Sequence, residues 1–325
     1  DWTFLSVPTI VTPLAPVPEL RPGAMTVSPG ETATFDLTSM TVWQGENDNA
    51  NTVWAIDGTS ADFEIKQSGS AVTVTATDTS VPGRESAILV LITSHESVAP
   101  ARLVLRVGPA PETAPRGGTT SMQCSQAEGN SCTVSVIGAP GEVNPLPGTP
   151  LTLQSVTSTA SCTGVTFSVA SSTSVTATWT GDAPGATCRT SFTLQDAQGR
   201  LTTGERNGSV TLDLQGYPLA PAAIKQTGYD EGIVQLQVDP GGARSAYPAI
   251  SGFTVAWGGK VVATCSADGV CPPIAAPNGE SRVYEAVSVN AVGTSKSSVS
   301  TTGWAYDPPA KPESFTATAI PTEGQ

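Results

Sequence analysis

The chain has 325 residues, a formal net charge of -13, 13% charged residues and 6% aromatic residues. Its length suits about three domains of roughly 100 residues, and its wealth of Thr, Ser, Val, Gly and Pro points to short strands joined by turns. No basic patch interrupts the acidity, which argues against nucleic acid or an anionic membrane surface as a partner, and no stretch keeps the three-and-four apolar spacing of a helix. The expected fold class is therefore all-β.

Proline clusters divide the chain: Pro13, Pro16, Pro18 and Pro22; Pro109, Pro111 and Pro115; Pro218 and Pro221; Pro308, Pro309 and Pro312. Their pitch of about 100 residues matches one β-sandwich per interval, and proline favours an extended backbone that keeps neighbouring modules end to end. The expected divisions are an N-terminal segment or linker at 1–18, sandwiches at 19–109, 113–216 and 217–307, and a linker with the start of a further module at 308–325.

In the first module Ala33, Phe35 and Leu37 alternate with Thr34 and Asp36, the mark of a strand with one buried face. Val72, Val74 and Ala76 repeat that pattern, as do Leu103, Leu105 and Val107. The run Ala87-Ile-Leu-Val-Leu-Ile92 is apolar throughout and predicts a central strand, and Trp54 with Ile56 predicts a core strand. The loop Glu46-Asn-Asp-Asn-Ala-Asn51 gathers hard oxygen donors, so Asn47, Asp48 and Asn49 together with Asp57 form a calcium candidate, without the spacing of an EF-hand. Trp43 borders this loop.

The second module alternates at Val165-Thr-Phe-Ser-Val169 and at Val175-Thr-Ala-Thr-Trp179, and closes on Val210-Thr-Leu-Asp-Leu214. It carries Cys124 and Cys132 around a turn-rich loop, where a bridge is expected to staple a hairpin or loop, and Cys162 and Cys188 around two strands. In the third module Gly258-Gly259 predicts a tight turn between strands at 253–257 and 260–265, and Cys265 and Cys271 flank a short loop. Six cysteines allow fifteen pairings; the sequential one is expected, 124 with 132, 162 with 188 and 265 with 271. With one histidine, His95, and no CxxC spacing, a zinc ligand set is lacking. Disulfides imply an oxidising compartment, so the expected location is extracellular, on a cell surface.

The stretch Tyr284-Glu-Ala-Val-Ser-Val-Asn-Ala-Val-Gly-Thr-Ser295 resembles the penultimate-strand signature of fibronectin type III domains, which end it in Asn-Ala-x-Gly-x-Ser. The resemblance implies a seven-stranded sandwich. It departs from the family in placing Arg282 where the tyrosine of the family's tyrosine-corner hydrogen bond usually stands, with Tyr284 two residues later on the same face, and in the pair Cys265 and Cys271. Tyr217-Pro-Leu-Ala-Pro and Tyr306-Asp-Pro-Pro-Ala recur 89 residues apart, and Phe315-Thr-Ala-Thr-Ala319 alternates like the first strand of another copy. The first two modules resemble only the broader immunoglobulin-like fold. Large bacterial surface proteins built from such modules are similar in composition.

Catalytic machinery is not expected. A serine hydrolase triad needs a base beside its nucleophile and His95 is the sole imidazole, placed in a turn after a strand; neither G-x-S-x-G nor a P-loop occurs. Asp230-Glu231 reads as a solvated turn, Asn207-Gly-Ser209 as a turn as well as a formal glycosylation acceptor, and no motif marks Lys66, Lys225, Lys260 or Lys296 for an isopeptide cross-link. No cofactor is expected. The function expected is that of a non-catalytic stalk or adhesion segment, monomeric, cut from a longer anchored protein and meeting a protein ligand on a host or cell surface. Two alternatives stand beside it: accessory modules of a secreted enzyme, spacing or binding carbohydrate, and capture of a soluble host factor such as a cytokine. Carbohydrate binding calls for coplanar exposed aromatics, whereas Trp2, Trp43, Trp54, Trp179, Trp257 and Trp304 stand singly and Trp54, Trp179 and Trp257 lie in strand patterns that suggest core; Trp43, beside the acidic loop, is the one candidate.

Overall fold

A computed structural model describes residues 3, 17–157, 161–306, 313, 314 and 316–318. Trp2, Pro13, Pro16, Pro308, Pro309, Pro312, Phe315 and Ala319 lie outside the described residues. Among the described ones the chain is all-β, and its apolar side chains fall into three separate cores spanning residues 20–107, 122–214 and 224–305.

The first core is enclosed by β1 (Pro18–Leu20), β2 (Gly23–Val27), β3 (Thr32–Asp36), β4 (Thr41–Trp43), β5 (Trp54–Asp57), β6 (Phe63–Ser68), β7 (Ala71–Ala76), β8 (Glu85–Ile92) and β9 (Ala101–Val107). One sheet runs β2-β9-β8-β5 and faces a second, β3-β7-β6, while β1 pairs with β4 at the side. Alternation builds this core directly: Val72, Val74 and Ala76 from β7 meet Leu103, Leu105 and Val107 from β9, all buried. The apolar run in β8 is central, as its composition predicts, but it is buried on one face only. Ile88, Val90 and Ile92 point inward, whereas Leu89 is 40% exposed, because no third layer covers the outer side of the sheet.

The second core lies between β10 (Thr119–Ser125), β11 (Ser131–Ser135), β12 (Thr152–Val156), β13 (Val165–Ser171), β14 (Ser174–Trp179), β15 (Ala186–Gln195) and β16 (Gly208–Gln215), in sheets β10-β16-β15-β12 and β11-β14-β13. In both of these sandwiches the strand at the sheet's edge, β2 or β10, runs parallel to the last one, β9 or β16. Cys124 bonds Cys132, and Cys162 bonds Cys188. The first of these bridges does not staple a hairpin: β10 and β11 belong to opposite sheets, so it ties the two layers together.

The third core differs in topology. Its strands are β17 (Ala223–Asp230), β18 (Ile233–Asp239), β19 (Gly252–Trp257), β20 (Lys260–Cys265), β21 (Ile274–Ala275), β22 (Arg282–Val289) and β23 (Val299–Gly303). They form sheets β17-β18-β21 and β20-β19-β22-β23, and every strand pairing is antiparallel, the first strand with the second. Gly258 and Gly259, with φ of 56° and 78°, make the two-residue turn between β19 and β20, a geometry that L side chains resist. Cys265 bonds Cys271 in the segment that leaves edge strand β20, and the adjacent Val270 bridges to Gln237 on β18, so the chain passes there from one sheet to the other.

Candidate functional site

The oxygen-rich loop of the first sandwich turns its donors on itself. Asn47 Oδ1 accepts from the Asn49 backbone amide at 2.8 Å, Asp48 Oδ1 from Asn51 Nδ2 at 2.7 Å, and Asn49 Oδ1 from the Trp43 indole Nε1 at 2.8 Å. Asp57 ends β5 and so stands at the far end of that strand from the loop. Among the described residues no group of three or more His, Cys, Asp or Glu side chains is placed to hold a metal ion. His95 is half-buried rather than free in solvent: its ring meets Trp43 edge to face with centroids 5.8 Å apart, and Nδ1 lies 3.1 Å from Ser94 Oγ. Trp43 is thus a brace between two loops. Asn207 is half-buried with its amide oxygen enclosed, and the turn 230–231 is exposed.

The tryptophans divide differently from their strand patterns. Trp54 and Trp179 are buried, but Trp257 is 37% exposed. It is the last residue of β19, paired with Tyr284 on β22, and the Arg282 guanidinium covers its ring at 3.8 Å from the centroid. Glu280 holds that guanidinium through Nε and Nη2, both at 3.1 Å, a forked charge-assisted pair. Arg282 is therefore held between the Trp257 ring and the Glu280 carboxylate. Tyr284 is buried behind it, its hydroxyl without a hydrogen-bond partner. Burial raises the pKa of that phenol, and the neighbouring positive charge of Arg282 opposes the rise. The tyrosine-corner bond of the resembled family is not made by this residue.

A network of buried and half-buried hydrogen bonds lies where the second sandwich meets the third. Asn290, buried at the end of β22, donates from Nδ2 to the carbonyls of Gly216 at 2.9 Å and Pro248 at 3.1 Å. Its Oδ1 accepts from the amides of Val292 at 2.9 Å and Gly293 at 3.2 Å. The Asn-Ala-x-Gly-x-Ser motif is thereby explained by contacts. Asn290 closes the turn and grips the linker, Ser295 Oγ donates to Ser297 O at 2.8 Å, and a Cβ at Gly293 would stand 3.0 Å from the Tyr217 ring. From the other side Gln126 accepts from the Tyr217 amide at 2.9 Å and donates to Ala183 O at 2.7 Å. Gly216 N donates to Tyr247 O at 2.9 Å, and Lys296 reaches Gly181 O across the joint with its ammonium 5.5 Å from the centre of the Tyr217 ring.

This framework surrounds a cleft of about 310 Å³, mostly apolar, walled by Pro184, Tyr217, Leu219 and Tyr247 with Asp182 and Lys296 among its polar groups. Clefts between domains are a common place for binding sites, and here amide and carbonyl pairs set the width in advance. The sequence carried little sign of it, since its walls come from segments far apart in the chain, around Gln126, Ala183, Pro218, Ala246 and Lys296; the one signal was the Asn290 motif.

No family model matches the chain, and no curated protein matches it. Among solved structures it is similar to domains A168–A170 of titin at 12% identity and TM-score 0.37, covering 88% of this chain and 98% of that one. It is also similar to human CDH23 EC21–23, at 16% identity and TM-score 0.37, covering 87% and 99%, and to Drosophila N-cadherin EC1–3, at 14% identity and TM-score 0.32, covering 87% and 96%. At these scores the likeness bears on no partner or activity.

Proposed function

We propose that the chain is a non-catalytic extracellular segment of a surface protein that holds its sandwiches at set positions and makes protein contact at the cleft between the second and third. The third sandwich is read as fibronectin type III, on the Asn290 motif and the pairing of its first strand with its second. Three disulfides suit an oxidising compartment. The observation that carries the reading is the pre-formed cleft: its walls are fixed by hydrogen bonds, so a partner loop entering it meets little ordering cost. The excess of acidic groups favours a neutral or basic partner face.

The test is capture of protein partners by the intact segment under oxidising conditions, compared with Tyr247→Ala. Aromatic anchors at interface centres commonly contribute 2 kcal/mol or more, so the variant should weaken capture by about tenfold or beyond. Undiminished capture by Tyr247→Ala would move the contact elsewhere, and no capture by the unaltered protein would remove the adhesive reading.

One observation favours carbohydrate contact by an accessory module. Tyr229 and Tyr306 stack at 6.1 Å with an interplanar angle of 13°, both exposed, on the same sandwich as exposed Trp304. Carbohydrate affinity chromatography should then show retention that Tyr229→Ala abolishes; equal elution of both proteins on every polysaccharide tried would end this second reading.

A further inference from the structure

The joint between the first and second sandwiches is built differently from the one at the cleft. Leu146 is fully buried (0% exposed), yet it belongs to none of the three cores. Its side chain lies against Gly30 of the first sandwich, where an added Cβ would come within 3.1 Å of it. Asp78, in the turn after β7, is held between Gly30 and Gly148: a Cβ on either would come within 2.9 Å of its carboxylate. A leucine of the second module is thus sealed by the first, and burying it stabilises the joint by about 2 kcal/mol.

The turn between β15 and β16 supplies the polar half. Asp196, buried, organises it by accepting from the amides of Gln198 at 3.0 Å and Arg200 at 2.9 Å and from Arg200 Nε at 2.8 Å. The pre-shaped turn projects two donors out of the module. Gln198 Nε2 donates to two carbonyls of the first sandwich, Asp78 O at 2.5 Å and Ser80 O at 3.0 Å, and Arg200 Nη1 donates to Pro111 O in the linker at 2.5 Å. Arg206 adds a bond to Ala114 O at 3.1 Å.

We infer that the turn 196–200 is a latch which, with Leu146, locks the first two sandwiches in one orientation. Its side-chain N–H groups bond carbonyl oxygens of the first sandwich and the linker directly, so the lock we infer needs no bridging ion. Prolines alone stiffen a linker but set no rotation about it; the latch fixes that as well. The inference deepens the spacer half of the proposed function and is independent of whether the cleft binds a partner.

Residual dipolar couplings of the full chain test it, because two rigidly joined modules share one alignment tensor. The unaltered protein should show one tensor for residues 23–107 and 119–215, unchanged by added calcium or by EDTA. In Gln198→Ala combined with Leu146→Ala the common tensor should be lost while each module's own couplings still fit its fold; this check guards against simple unfolding, since Gln198 holds the turn through its backbone amide. Different tensors in the unaltered protein, a single tensor persisting in the variant, or a calcium-dependent change of orientation would each overturn the latch. Partner capture is not read by this measurement, so its result leaves the cleft reading where it stood.

Discussion

Asn290→Ala should destabilise the third sandwich by roughly 3 kcal/mol and free it from the second. The magnitude follows from the contacts: a buried group deprived of its hydrogen-bond partner costs about 1 to 3 kcal/mol, and this amide serves two carbonyls and two amides, some of which water will reach once the joint opens. Asn290→Asp separates the two roles. It keeps an oxygen for the amides of Val292 and Gly293 but removes the donors to Gly216 O and Pro248 O. The Asp variant should therefore retain the turn while losing the joint. Urea unfolding followed by hydrogen exchange at β22 gives the stability, and relaxation-derived tumbling of the third module gives the coupling. An Ala variant as stable and as tightly coupled as the parent would mean that the motif is incidental.

Reduction should divide the chain unequally. Cys162 and Cys188 are 26 residues apart in sequence, and loop entropy assigns a bridge of that span about 3 to 4 kcal/mol. Cys188 is also fully buried among Phe192, Leu194 and Leu212, so the double variant Cys162→Ala, Cys188→Ala loses sulfur packing as well. The bridge of Cys265 and Cys271, 6 residues apart, closes a shorter loop and contributes less, about 2 kcal/mol on the same account. No cysteine lies in the first sandwich. Hydrogen exchange in reducing buffer should show protection falling most at β14 to β16, less at β19 and β22, and staying intact at β8 and β9. Equal loss in all three sandwiches would contradict the assignment of these energies.

Much of the fold was legible before any coordinate. Side chains on an extended backbone point alternately to its two sides, so Val72, Val74 and Ala76 or Leu103, Leu105 and Val107 declare a buried face from spacing alone. Gly258-Gly259 declares a turn for a similarly local reason. Burial on the second face was not legible: the all-apolar 87–92 run suits a strand covered twice as well as one covered once. Trp257 shows the same limit, for its alternation is that of a core residue, yet it ends its strand half out of the core with Arg282 over its ring.

The candidate sites were legible to a smaller degree. The oxygen-rich loop at 46–51 is conspicuous in sequence, yet its donors satisfy one another and Trp43. The groups that build the joints, Gln126, Leu146, Gln198 and Arg200, carry no sequence pattern, because an amide or a guanidinium needs only a carbonyl in reach and that carbonyl comes from another module.

The sequence by itself determined the all-β class, the strand faces and the net acidity, all consequences of local side-chain direction and summed charge. Only the tertiary structure decided which sheet each strand joins, that Cys124 and Cys132 tie opposite layers, and that the modules meet through a latch and a cleft. Those depend on which surfaces the folded chain brings face to face, and periodicity along a strand reports the direction a side chain takes, not what it meets there.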